Sequence, residues 1–136
     1  MVSEMLTIRR LFYAPKRTEV KSMQITMARG DVYSFSFAVY IDDEPTAETM
    51  DNIYFTVKKH YFDEDPVIQK RLSDGSIIDE GDGEYLIMIN PEDTDNLELG
   101  SYDFDIEIVK LPEIKRTFIG TLNLTKEVTH ARNEVS

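Results

Sequence analysis

An all-β, antiparallel β-sandwich of about seven or eight strands is the fold the sequence predicts. Three observations carry it. Apolar residues fall on every second position in segment after segment, the period of a strand with one buried face. Clusters of Gly, Pro, Asp and Asn separate those segments at intervals of about 10–15 residues. No stretch sustains the spacing of a long amphipathic helix. With 136 residues the chain suits one domain, able to bury roughly 68% of its unfolded surface without a metal or a disulfide.

Residues 1–21, MVSEMLTIRRLFYAPKRTEVK, fit that pattern poorly. Leu6, Ile8, Leu11, Phe12 and Tyr13 are too apolar for a plain tail, and the segment is too short and basic for a domain. It reads as an extended N-terminal arm that orders only on a partner surface, with Leu6–Tyr13 able to lie along a sheet edge. The body follows at residues 22–125. Met23, Ile25 and Met27 alternate in its first strand. Arg29-Gly30-Asp31 spells a cell-adhesion tripeptide, but a turn explains it better: Gly supplies a positive φ and Asp bonds nearby backbone amides. Val32–Ile41 then returns, with Tyr33, Phe35, Phe37, Val39 and Ile41 on one face and Ser34, Ser36 and Ala38 on the other. Its aromatic inner side marks a central strand. Asp42-Asp43-Glu44-Pro45 ends it, because charge and proline stop the ladder.

The third strand carries Ile53, Phe55 and Val57 before Lys58-Lys59. Asp63-Glu64-Asp65-Pro66 is a loop. Val67–Leu72 reads as an edge strand, since Gln69, Lys70 and Arg71 are polar. Ser73-Asp74-Gly75 turns into a short Ser76–Asp79 strand, and Gly81-Asp82-Gly83 signals a hairpin before Tyr85, Ile87 and Ile89. Asn90-Pro91-Glu92-Asp93 is a helix start, with Asn at the cap, Pro first, and two carboxylates at the positive end. Gly100 limits it to one short helical turn. Tyr102, Phe104, Ile106 and Ile108 alternate next, and a last strand carries Phe118, Leu122 and Leu124. Residues 126–136 form a C-terminal tail.

In "LELGSYDF", Tyr102 follows Gly100 and precedes Phe104 by two. That spacing resembles the tyrosine corner of immunoglobulin-like domains, with Phe104 at the place of the second core Cys and Phe55 near the usual core Trp. The expected core is Phe35, Phe37, Phe55, Ile87, Phe104, Ile106 and Leu122.

The net charge of −11 argues against a nucleic-acid partner, whose phosphates would be repelled. Its distribution is uneven. Residues 1–21 hold five basic side chains against two acidic ones, a net of +3; residues 22–136 hold ten against 24, a net of −14. Cys is absent, which excludes a disulfide framework and a Cys-based zinc site. No apolar run is long enough to span a membrane. The N-terminus lacks the apolar core of a secretory signal, so synthesis in a cytoplasm is expected.

Candidate sites are few. Asp79-Glu80-Gly81-Asp82-Gly83-Glu84 misses the EF-hand spacing, and Asp93, Asp95 and Glu98 lack its turn glycine, so solvated turns are expected and no metal. His60 and His130 have no second ligand at metal spacing. No nucleophile elbow or phosphate loop is present, so neither an enzyme nor a cofactor is expected. Asp103, Asp105 and Glu107 alternate on the outward face of their strand and suit a docking surface. The arm offers the complement in Arg9, Arg10, Leu11, Phe12, Tyr13, Lys16 and Arg17.

The run "RGDVYSFSFAVY", "IYFTVKK", "PVIQKRLSDG", "GEYLIMINPEDTDNL", "LGSYDFDIEIV" and "GTLNLTKEVT" resembles a set of phage immunoglobulin-like domains. They are those similar to the N-terminal domain of baseplate upper proteins. The likeness spans about residues 22–129 and rests on the order and spacing of these segments, "NPEDT" before "LxxGxY" being the most distinctive. It implies a virion structural protein made in the host bacterial cytoplasm. Such an adaptor or capsid-decoration module binds other virion proteins of capsid, tail, baseplate or fibre base, and neighbouring copies of itself. A carbohydrate-binding or adhesion module is the alternative; Tyr40, Tyr54 and Tyr61 are the aromatics it would use. No nucleic acid, membrane or small-molecule substrate is expected as a partner.

Overall fold

The computed structural model describes residues 6–10, 18–19, 22–41, 44–45, 49–111 and 113–127. They form an all-β sandwich. One sheet has the order β2-β1-β4-β9-β8, with β5 paired to β4; the other has the order β3-β11-β10-β6-β7. In chain order the strands are β1 (Leu6–Arg10), β2 (Thr18–Glu19), β3 (Ser22–Ala28), β4 (Tyr33–Ile41), β5 (Glu44–Pro45) and β6 (Asn52–Lys58). β7 (Ile68–Arg71), β8 (Ile77–Gly81), β9 (Glu84–Ile89), β10 (Gly100–Lys110) and β11 (Glu113–Thr125) follow, with helix α1 (Pro91–Thr94) between β9 and β10.

The strand order of the two layers resembles that of immunoglobulin-like sandwiches. β4, β9 and β8 stand as B, E and D, and β6, β10 and β11 as C, F and G. Alternation places Phe35, Phe37 and Val39 of β4, Tyr85, Ile87 and Ile89 of β9, and Phe55 of β6 in the space between the sheets. Phe104 and Ile106 of β10 and Leu122 of β11, in the same sheet as Phe55, close it opposite β4 and β9. All seven residues expected in the core are buried. Where an antibody domain has a disulfide against Trp, this chain packs aromatic rings against one another. Phe35 meets Phe55 edge-on at 5.9 Å, and Phe55 meets Phe104 at 5.2 Å.

The tyrosine corner is formed. The Tyr102 hydroxyl donates to the Glu98 carbonyl at 2.7 Å, which pins the start of β10 to the preceding loop. Burial raises the Tyr102 phenol above its ordinary value, with the Glu98 charge adding to the effect. α1 is the predicted single turn, and the Asp93 carboxylate accepts from the Asn90 N–H at 2.7 Å.

Three expectations are corrected. β3 and β4 do not form a hairpin: β3 lies in the other sheet and pairs with β11 in parallel, Met23 opposite Gly120 and Ile25 opposite Leu122. The sandwich is therefore not purely antiparallel. The Arg29-Gly30-Asp31 turn crosses between the layers. It is tied to the far loop by the Gly30 N–H on Thr94 Oγ1 at 2.8 Å and Arg29 Nη1 on the Leu97 carbonyl at 3.2 Å. Gly30 is buried there at φ 84°, a backbone geometry that favours glycine. A buried glycine and an arginine tied to the body are not an exposed adhesion loop.

The third correction concerns the arm. Leu6–Arg10, assigned to it, instead forms β1 on the chain's own sheet, with Ile8 opposite Val39 and Arg9 opposite Ala38. β4 would otherwise leave an open row of backbone donors and acceptors, and β1 fills it. With β2 and β5 added, the strand count rises to eleven among the described residues.

Gly120 sits at the closest approach of three strands. A Cβ there would run into the Phe104 ring and the Met23 backbone carbonyl. Gly120→Ala is expected to cost about 1–3 kcal/mol, because the ring can tilt but the carbonyl belongs to the β3–β11 ladder. Urea denaturation measures it, and a midpoint equal to wild type would contradict the packing.

Candidate docking face

β10 runs through the middle of its sheet. Tyr102, Phe104, Ile106 and Ile108 point into the core, so Asp103, Asp105 and Glu107 point outward. Across the ladder on β6 lie Lys58 opposite Asp103, Thr56 opposite Asp105 and Tyr54 opposite Glu107. On β11, Thr121 is opposite Asp103 and Ile119 opposite Asp105. The three carboxylates thus sit in one line, flanked by hydroxyls, one ammonium and one aliphatic side chain.

Two hollows follow this line. One of about 400 Å³ is lined by Thr56, Lys58, Tyr61, Asp103, Phe104, Asp105 and Ile119. The other, about 390 Å³, is lined by Tyr54, Thr56, Lys58, Glu64, Pro66, Gln69, Asp105 and Glu107. Thr56, Lys58 and Asp105 border both. The hollows are displaced along the strands, so together they make a groove running along the β6–β10 border.

The loop after β6 forms one rim. His60, Tyr61 and Phe62 stand exposed in a row, Tyr61 at 79% and Phe62 at 70%. They are held in place. The Tyr61 N–H donates to Asp103 Oδ2 at 3.0 Å, the His60 N–H donates to Asp63 Oδ2 at 3.0 Å, and the Asp63 N–H returns to the His60 carbonyl. The His60 and Phe62 rings stack at 5.2 Å. Ile119, 65% exposed, adds an aliphatic contact on the other side of the groove.

Asp105 is the electrostatically strained member. Burial raises its carboxyl above the ordinary 3.8, Glu107 raises it further, and Lys58 only partly offsets the two. The ionised form is therefore less favourable in the folded chain than in the unfolded one. As pH rises through the ordinary value the unfolded chain loses its proton first, and stability falls until the folded group has ionised too. Asp105→Asn is expected to raise the melting temperature at pH 7, and the gain should vanish below about pH 3.8. Melting curves across that range test it; a gain that persists at low pH would point to packing instead.

The acidic half of the predicted site is thus assembled on one face. The basic half is not brought to it: β1, with Arg9 and Arg10, belongs to the opposite sheet, where Arg9 pairs with Glu19 and Arg10 with Thr18 in register. Leu11, Phe12, Tyr13, Lys16 and Arg17 lie outside the described residues, as do His130 and the tail beyond residue 127. Of the aromatics proposed for a carbohydrate, Tyr61 is exposed on the rim, whereas Tyr54 lies half-buried under the Arg71 guanidinium at 5.9 Å. Sequence reasoning did not single out Phe62 or Ile119. Ile119 was readable, since Phe118 and Leu122 inside leave it in the outward register.

Among the described residues no group of three or more His, Asp or Glu side chains is arranged to hold a metal ion, and no helix is long and apolar enough to cross a membrane.

No protein-family model and no curated protein matches the chain. Solved structures do match. A family 123 glycoside hydrolase from Clostridium perfringens, studied for glycolipid glycan hydrolysis, superposes with a TM-score of 0.51 at 10% identity. The match covers 93% of this chain and 28% of the hydrolase. The extracellular domain of a hybrid two-component system from B. thetaiotaomicron gives a TM-score of 0.38 at 10% identity, over 89% of this chain and 15% of that one. The chain thus spans under a third of either protein. At this identity the hydrolase match shows a shared β-sandwich fold.

Proposed function

We propose that the protein is a non-catalytic immunoglobulin-like module of a bacteriophage particle that docks onto other virion proteins. The observation that carries a docking role is the rim of His60, Tyr61 and Phe62 beside the groove. Aromatics that stand exposed among the described residues and are fixed by backbone hydrogen bonds are how an interface anchor is presented. The virion assignment draws on the resemblance of residues 22–129 to phage immunoglobulin-like domains. Mass spectrometry of purified particles, with stoichiometry, tests it. The protein should be present at a fixed, multiple copy number, and a chain found only in the unassembled fraction would overturn the reading.

Glycan binding is a second reading, favoured by one feature. Tyr61 stands over a hollow whose Thr56, Lys58 and Asp105 could hydrogen-bond sugar hydroxyls, and the hydrolase of similar fold acts on a glycolipid glycan. A glycan array distinguishes the two: binding abolished by Tyr61→Ala would favour it.

A further inference from the structure

We propose that the groove along the β6–β10 border receives an extended, basic segment of a partner protein, whose cations meet Asp105 and Glu107 and whose apolar side chains pack on Tyr61, Phe62 and Ile119. The inference rests on the docking reading and names the chemistry of the occupant.

Charge is the first argument. Among the described residues, the lining of the two hollows carries four carboxylates, Asp103, Asp105, Glu107 and Glu64, against one ammonium, that of Lys58. Asp103 is already engaged by the Tyr61 N–H. Asp105 and Glu107 remain adjacent on one strand face, and their mutual repulsion is relieved by an incoming cation. The surplus matches the body's overall charge, so the same sign steers a basic partner from a distance and holds it at the groove.

Geometry is the second. The carboxylates recur every second residue of β10, a spacing of about 6.8 Å for an antiparallel strand. An extended peptide has the same period on one face, so lysines or arginines at alternate positions fall in register with them. A helix offers neither that period nor a shape that fits a shallow groove between two strands. The aromatic rim and Ile119 flank the acidic line, so the residues between the cations find apolar contact. Apolar anchors beside a charged line give an interface both its hold and its register.

Titration calorimetry and amide chemical-shift mapping on the free protein test this. The probe is a short synthetic peptide alternating lysine with valine and threonine, and the control peptide has glutamate for lysine. The lysine peptide should bind, with shifts confined to Tyr54, Thr56, Lys58, Tyr61, Phe62, Asp105, Glu107 and Ile119. Asp105→Asn with Glu107→Gln should weaken it about tenfold or more, and Tyr61→Ala with Phe62→Ala by a similar factor. Glu80→Gln with Asp82→Asn removes the same charge on the distant β8–β9 hairpin and should change affinity by less than about twofold. Equal weakening by both charge variants would reduce the effect to net charge and overturn the proposal. So would the absence of binding, or a glycan occupying the same residues. Because the free protein is used, a positive result in a chain absent from particles would remove the virion reading alone.

Discussion

Phe55→Ala should bring the domain close to unfolding. Phe55 is fully buried on β6, edge-on to Phe35 from the opposite sheet and tilted against Phe104 on the neighbouring strand. Truncation removes both ring contacts and leaves a cavity bordered by strands that hydrogen bonds hold in place, so collapse is limited. The expected cost is about 3–5 kcal/mol. A domain of this size has roughly 5–15 kcal/mol in total. No disulfide shares the task, since Cys is absent. In urea the midpoint should fall sharply while the slope stays unchanged. A loss under about 1 kcal/mol would show that the two sheets are held elsewhere.

Lys70→Ala is the second large effect expected. Lys70 lies on the edge strand β7 but points inward, 9% exposed. Its ammonium meets Asp93 Oδ2 at 2.7 Å. That bond joins β7 to α1, and the same carboxylate caps the helix through the Asn90 N–H. Removing the lysine leaves a carboxylate mostly withdrawn from water without its cation. Asp93 keeps the Asn90 bond and some solvent, so the cost should be about 2–4 kcal/mol, at or below the range for a fully buried pair. Lys70→Met with Asp93→Asn should recover most of it, because no uncompensated charge remains. If the single and double variants were equally unstable, packing of the lysine stem rather than the ion pair would be responsible. An inward lysine also makes β7 a poor template for a second sheet.

Period-two alternation made the sandwich legible. It assigned the inner faces of β6, β9, β10 and β11, and Phe35, Phe37 and Val39 of β4, though Ala38, placed on the outer face of β4, is buried as well, and "LELGSY" marked the tyrosine corner. What alternation reports is which side of a strand is buried. It does not report which strand lies alongside. That is why a turn at Arg29–Asp31 followed by a returning strand suggests a hairpin of β3 with β4, when the partner of β3 is β11. β1 was expected on a partner's edge rather than on the chain's own for a related reason. Leu6-Thr7-Ile8 alternates, but Arg9-Arg10 and the apolar trio after them read as an arm, and the open edge of β4 that recruits the strand is a tertiary fact. On the candidate face, the line of Asp103, Asp105 and Glu107 was readable from the same period. The groove beside it was not, because its rim comes from a loop whose path is set by the Tyr61–Asp103 bond.

The parallel ladder between β3 and β11 has a consequence for synthesis. It joins the first strand of the body to the last, so its sheet lacks that edge until residues 119–125 have left the ribosome, about a hundred residues after β3. Until then β10 has no β11 beside it, and Met23, Ile25 and Met27 have nowhere to pack in the finished layer. Closing so long a loop is slow, as for all folds dominated by distant contacts. The nascent chain therefore spends time as a half-sandwich with an open, apolar edge, the state in which two chains can exchange strands or aggregate. Slower translation before residue 113 would lengthen that interval, and a chaperone that shields open edges would act within it.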